Sequence, residues 1–138
     1  MYSLMESLFL QPYEQIINES LFNKKKDNEI INNEYKELLS SLKKCMLKLK
    51  QQKDFKKKCS NYTPNLTVES FEDINFKYND AIILIIDDDQ DIRNEYRWIL
   101  NSLVDILKED YKEIYNKWNF KYGDGDEGCL YVKYIIKK

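Results

Sequence analysis

Two hydrophobic periodicities divide this chain. Ile31, Tyr35, Leu38, Leu42, Cys45 and Leu49 step by 4, 3, 4, 3 and 4, with Leu39 and Met46 widening the stripe. An α-helix turns once every 3.6 residues, so this spacing lays a single seam along one helix face. A helix over about 28–58 is expected, with Asp27 or Asn28 accepting a bond from an unpaired backbone N–H at its start. The next positions in register are Gln52 and Lys56, so its last two turns should not pack like the first four. A shorter helix over about 12–22 precedes it, because Pro12 suits a first helical turn and Tyr13, Ile16, Ile17, Ser20 and Leu21 recur at helical spacing. The polar run NKKKDN, residues 23–28, reads as the break between the two.

After residue 60 the pattern changes. Ile74, Phe76 and Tyr78 alternate with polar residues as in a half-buried strand, and Asn79-Asp80 suits a two-residue hairpin turn. The run AIILII, residues 81–86, reads as a central strand buried on both faces. A second long helix is expected over about 91–118, where Tyr96, Leu100, Leu103, Leu107, Tyr111, Ile114 and Trp118 share one face. Residues 119–122 and 130–136 flank GDGDEG as a terminal hairpin, and Tyr131 and Tyr134 fall on opposite faces of its last strand. The order is two helices followed by ββαββ, an α+β fold with a small, mainly antiparallel sheet packed on a long helix. The stretch NYTPNLT, residues 61–67, is the natural joint between a helical part, 1–60, and a ββαββ part, 61–138, in what reads as one compact domain with a helical extension.

Charge sharpens that division. Residues 1–60 carry 12 lysines against 8 acids, a balance of +4, whereas residues 61–138 carry 10 basic residues against 16 acids, a balance of −6. The net charge of −2 therefore hides a dipole. Only one Ala, two Arg, two Pro and three Gly occur, and the abundance of Lys, Ile, Asn and Tyr matches A/T-rich codons, so lysine excess alone is weak evidence of a basic surface. Mean hydropathy of −0.68 with 14% aromatic residues fits a soluble chain with a real core, and no apolar run is long enough for a membrane span. The first residues, MYSLMESLFLQPY, lack a basic flank and carry Glu6 in the apolar run, which suits a signal peptide poorly. Cys45, Cys59 and Cys129 form neither an even set nor a CxxC pair, so an intracellular, cytoplasmic setting is expected, although Asn18, Asn61 and Asn65 head glycosylation-type sequons.

Histidine is absent, which removes the commonest general base and zinc ligand, together with triad and zincin chemistry. The sequence also has no phosphate-cradling glycine loop and no nucleophile elbow. The segment AIILIIDDDQDIRNEYRWIL, residues 81–100, resembles the first strand and helix of bacterial response-regulator receiver domains. That resemblance implies Mg²⁺ held by Asp87, Asp88 and Asp89 beside a phospho-accepting aspartate. It covers about 20 of 138 residues, and too little chain follows Trp118 to supply the further strand-helix units of that family. Without the family, the 87–91 cluster remains a candidate Mg²⁺-dependent phosphate or phosphoryl site, although consecutive residues on an extended strand point alternately and no more than two carboxylates converge. Asp124, Asp126 and Glu127 form a second acidic cluster, without the twelfth-position glutamate of an EF-hand. Both clusters read most simply as solvated turns and helix caps.

The stretch 43–58 holds eight lysines against Asp54, a local +7. Lys48, Lys50, Lys53, Lys56, Lys57 and Lys58 are the candidate partner-binding residues. They suit an acidic protein partner and, alternatively, nucleic-acid phosphates; the lack of arginine there and a pI near 5.3 weigh against the second. The 31–49 seam either folds back on its own domain or joins a second copy. With no catalytic inventory and no cofactor motif, the sequence points to a small non-enzymatic protein-interaction module, a subunit, adaptor or inhibitor, with no membrane partner.

Overall fold

A computed structural model describes residues 12–59, 65–87, 92–123 and 128–136, with side chains from residue 25 onward. Helix α1 spans Pro12–Lys50 and helix α2 spans Lys53–Lys58. Two N-terminal helices are present, but the division between them lies elsewhere than at residues 23–28. NKKKDN contains neither glycine nor proline, and lysine is a good helix former, so α1 runs through it with Lys25, Lys26 and Asp27 in solvent. The break falls at Gln51 and Gln52. Their amides donate to the carbonyls of Lys48 (3.2 Å) and Leu49 (3.0 Å), tightening the last turn to a three-residue step. Chain direction then changes, and α2 drives Phe55 into the core, where it is fully buried.

The seam is buried as the spacing demands: Ile31, Tyr35, Leu38, Leu42, Cys45, Met46 and Leu49 all lie inside the molecule, packed against α3, which spans Tyr96–Asp110. Full burial of each leucine contributes about 1.5–3 kcal/mol. Helix α3 contributes Ile99, Leu100, Leu103 and Leu107 and is entered through a 3-10 turn, Arg93–Glu95. The second long helix is shorter than its periodicity suggests. Tyr111 leaves helical space (φ −132°, ψ 54°), a single turn α4 follows at Lys112–Tyr115, and Trp118 opens strand β3, Trp118–Tyr122. In that strand the Trp118 ring is held between Tyr35 and Tyr134, with centroids 5.9 and 5.2 Å away, a burial that one more helical turn would forgo.

The first strand is also displaced. Strand β1 is Thr67–Ser70, and residues 74–78 form a turn with one isolated bridge between Asn75 and Asp80. Of the alternating apolar residues there, Ile74 alone is buried, while Tyr78 stands in solvent. Asn79 takes the left-handed conformation at φ 54°, which lets β2, Asp80–Ile86, start directly after it. The sheet order is β1-β2-β4-β3, antiparallel throughout, with β4 at Cys129–Tyr134. β2 is central, but it is not buried on both faces: Ala81, Ile83 and Ile85 are buried, and Ile82, Leu84 and Ile86 are half-buried or exposed. The reason is one-sided cover, since α1 and α3 supply buried side chains to a single core. Gly128 fits where β4 begins because a Cβ there would lie 3.1 Å from both the Ile85 Cβ and the Tyr96 ring.

Candidate functional site

The basic stretch is divided by the fold. Lys48 Nζ donates to Asp110 Oδ2 at 2.6 Å, and Lys43 pairs with Glu69 at 3.1 Å. The bond to Asp110 holds the Lys48 ammonium above its ordinary pKa. Lys50 is half-buried, and burial lowers its pKa. Lys58 Nζ sits 5.3 Å from the centre of the Trp98 ring, a cation-π contact. Lys53, Lys56 and Lys57 remain exposed, with no ion pair among the described residues. Of six candidates, only three therefore present unengaged charge, on a helix tethered by Phe55.

The acidic clusters fall largely outside the described residues: Asp88, Asp89 and Asp91 in one, and Asp124, Asp126 and Glu127 in the other. Asp87 is half-buried and its carboxylate accepts a hydrogen bond from the Tyr96 hydroxyl. Burial first, and the Asp87 charge second, push the Tyr96 hydroxyl above its ordinary pKa. Among the described residues, no three cysteine or carboxylate side chains come together as a metal-binding group.

The 31–49 seam is occupied by its own domain, so it offers no face to a second copy. Cys45 within it is fully buried, and burial pushes its thiol up to about 12, the opposite of an activated nucleophile. Cys59 is buried and shifted in the same direction for the same reason.

An apolar row is left partly uncovered on the sheet face away from the helices. Strand alternation sends Ile82, Leu84 and Ile86 of β2 to that face, with Tyr131 opposite Ile82 on β4. Phe71, whose amide donates to the Ile82 carbonyl at 2.9 Å, extends the row past β1 and is 57% exposed. Tyr131 is 41% exposed and Ile86 39%. Beside Tyr131 lies a depression of about 390 Å³ lined by Asp80, Ile82, Asn119, Lys121 and Lys133. The opposite orientations of Tyr131 and Tyr134 gave the sequence-level signal for this face. The apolar run of β2 masked its extent, because a two-sided burial was expected there.

No protein-family model, curated protein or solved structure matches this chain.

Proposed function

We propose that the protein is a small, non-enzymatic protein-interaction module, a subunit, adaptor or inhibitor in a larger assembly, and that it engages its partner through the outer face of its sheet. The observation that supports this reading is the apolar row Phe71, Ile82, Leu84, Ile86 and Tyr131, in which Phe71, Ile86 and Tyr131 are exposed and Ile82 and Leu84 half-buried. A contiguous apolar strip flanked by Lys121, Lys133 and Asp80 has the anatomy of a docking surface, an apolar centre with a charged rim. The experiment is a cross-linking and copurification comparison in the native source among wild type, Tyr131→Asp, Leu84→Asp and a control, Lys36→Ala, exposed on α1 and outside both candidate surfaces. A protein retained by wild type and control but lost from both outer-face variants supports the proposal. Equal retention by all four, or retention of no protein, defeats it.

A second reading keeps nucleic acid as the partner of the basic helix. It is favoured by one observation, the exposure of Lys53, Lys56 and Lys57 with no ion pair among the described residues, although Asp54 shares their helix. Three adjacent unengaged cations can neutralise phosphates.

A further inference from the structure

The hydrogen-bond alternation of the sheet leaves the β3 edge open. Gly123 N–H donates to the Cys129 carbonyl at 3.0 Å, and Ile135 N–H donates to the Lys117 carbonyl at 2.8 Å. In that register the bonded residues of β3 are the odd ones, Asn119 opposite Lys133 and Lys121 opposite Tyr131. The amides and carbonyls of Phe120 and Tyr122 consequently point away from β4, and no described residue bonds to them. The other edge is different. Helix α1 flanks β1, where the Tyr35 hydroxyl donates to Ser70 Oγ at 2.6 Å, Lys43 pairs with Glu69, and Val68 is fully buried.

Beside the open edge runs a groove of about 430 Å³ whose lining includes Val104, Tyr115, Phe120 and Tyr122. Cations border it. The Arg97 guanidinium lies 5.8 Å from the Tyr122 ring centre, and Lys108 Nζ lies 5.7 Å from that of Tyr115. Lys121 projects from the opposite face of the strand, exposed. None of the three has a salt-bridge partner among the described residues; the acids on the adjoining helices are Asp105, Glu109 and Asp110 of α3, the last paired with Lys48, and Glu113 of α4.

We infer that this edge accepts an extended segment of a partner protein as a fifth strand, with apolar side chains on the groove side and acidic side chains at the alternate positions. Unpaired backbone groups supply the pairing, and the groove takes every second side chain. Lys121 selects the occupant. If two copies paired antiparallel through Phe120 and Tyr122, Lys121 would face its own equivalent, and like charges directly opposite are destabilising. An acid in the incoming strand turns the same position into an attraction. The inference shares the interaction-module reading but concerns a different surface, the strand edge rather than the outer face.

The test uses the full chain and a phage-displayed library of random dodecapeptides. Enriched peptides should alternate aliphatic and acidic residues, and should bind Lys121→Glu about tenfold more weakly. By NMR hydrogen exchange, the enriched peptide should protect the Phe120 and Tyr122 amides, while Asn119 and Lys121, already bonded to β4, stay unchanged. Phe71→Asp, on the outer face, should bind the peptide as wild type does, so failure at one surface is separable from failure at the other. Absence of enrichment, or binding that leaves the Phe120 and Tyr122 amides exchanging freely, overturns the inference. Protection of those amides that grows with protein concentration without peptide also overturns it, in favour of a second copy.

Discussion

Tyr35 and Ser70, 35 residues apart in sequence, are joined by a 2.6 Å hydrogen bond in which the tyrosine hydroxyl donates. The bond ties the long helix to the edge strand, and the Ser70 hydroxyl in turn donates a hydrogen bond to the Glu72 backbone carbonyl, so the two bonds form a short chain at the β1 end. Tyr35→Phe removes the donor and keeps the ring against Trp118. It should cost about 1 kcal/mol in urea unfolding, the net worth of a partly buried hydrogen bond. Tyr35→Ala, which also empties the ring site, should cost about 3–5 kcal/mol.

Phe55 is fully buried on a helix of only six residues, four of them lysines. Nothing else from that helix enters the core. Phe55→Ala should therefore destabilise the protein by about 3–5 kcal/mol, whereas Lys56→Ala, one residue on and exposed, should fall within about 0.5 kcal/mol of wild type. Equal effects in denaturant melts would show that α2 is not anchored in this way.

The contrast between those neighbours shows what the sequence carried and what it did not. Periodicity located the 31–49 seam and the buried face of α3 because each side chain there repeats a helical step. The terminal hairpin was legible from its glycines and alternation. Phe55 was not, because it lies one residue off the seam register and enters the core only after the chain bends at Gln52. Polarity alone does not end a helix and periodicity alone does not extend one: NKKKDN is polar yet helix-competent, and Tyr111 interrupts a regular apolar stripe without any glycine or proline to announce it. The strand offset at residues 74–78 has a similar origin, since a turn can alternate polar and apolar residues by chance. Of the candidate lysines, those that became internal partners depended on Asp110 and Trp98, which lie more than 35 residues further along the chain.

The basic helix gives a direct test of the nucleic-acid reading. Lys53→Glu, Lys56→Glu and Lys57→Glu together should leave the melting temperature nearly unchanged, since all three side chains are exposed. If the helix contacts phosphates, the triple variant should lose binding to single-stranded or duplex oligonucleotides in a filter assay, and wild-type affinity should fall steeply between about 50 and 200 mM salt. Binding that is insensitive to salt, or identical in the variant, removes this reading.

Thiol reactivity should follow burial. Cys45 and Cys59 are both buried, with their thiols shifted upward, whereas Cys129 is half-buried on the outer face. Titration with an aromatic disulfide at about pH 8 should modify Cys129 first, leaving the other two until denaturant is added, because the thiolate is the reacting species. Rapid modification of Cys45 in the folded protein would contradict its place in the seam.

The same burial sets how stability depends on pH. Desolvation raises Tyr35, Tyr96 and Tyr122 above the ordinary 10.0 for tyrosine, and it raises Cys45 to about 12 and Cys59 above the ordinary 9.0 for cysteine. Each group binds its proton more tightly folded than unfolded. The stability this contributes is complete below the unfolded pKa and is lost as pH rises through the folded one. Lys48 and Lys117, raised chiefly by their hydrogen bonds to Asp110 and Glu34, act in the same direction. Lys50 opposes them, because its lowered pKa reflects a burial penalty on the charged form that lifts as pH rises. With no histidine, no side chain of ordinary pKa titrates between about pH 6 and 8. Melting temperature should accordingly be flat across that interval and decline above about pH 9, where unfolded thiols and then phenols begin to ionise. Cys45→Ala should be less stable at neutral pH and show a shallower alkaline decline, since one of the linked protons is gone. A decline that begins near pH 7, or an unchanged slope in Cys45→Ala, would place the controlling group elsewhere.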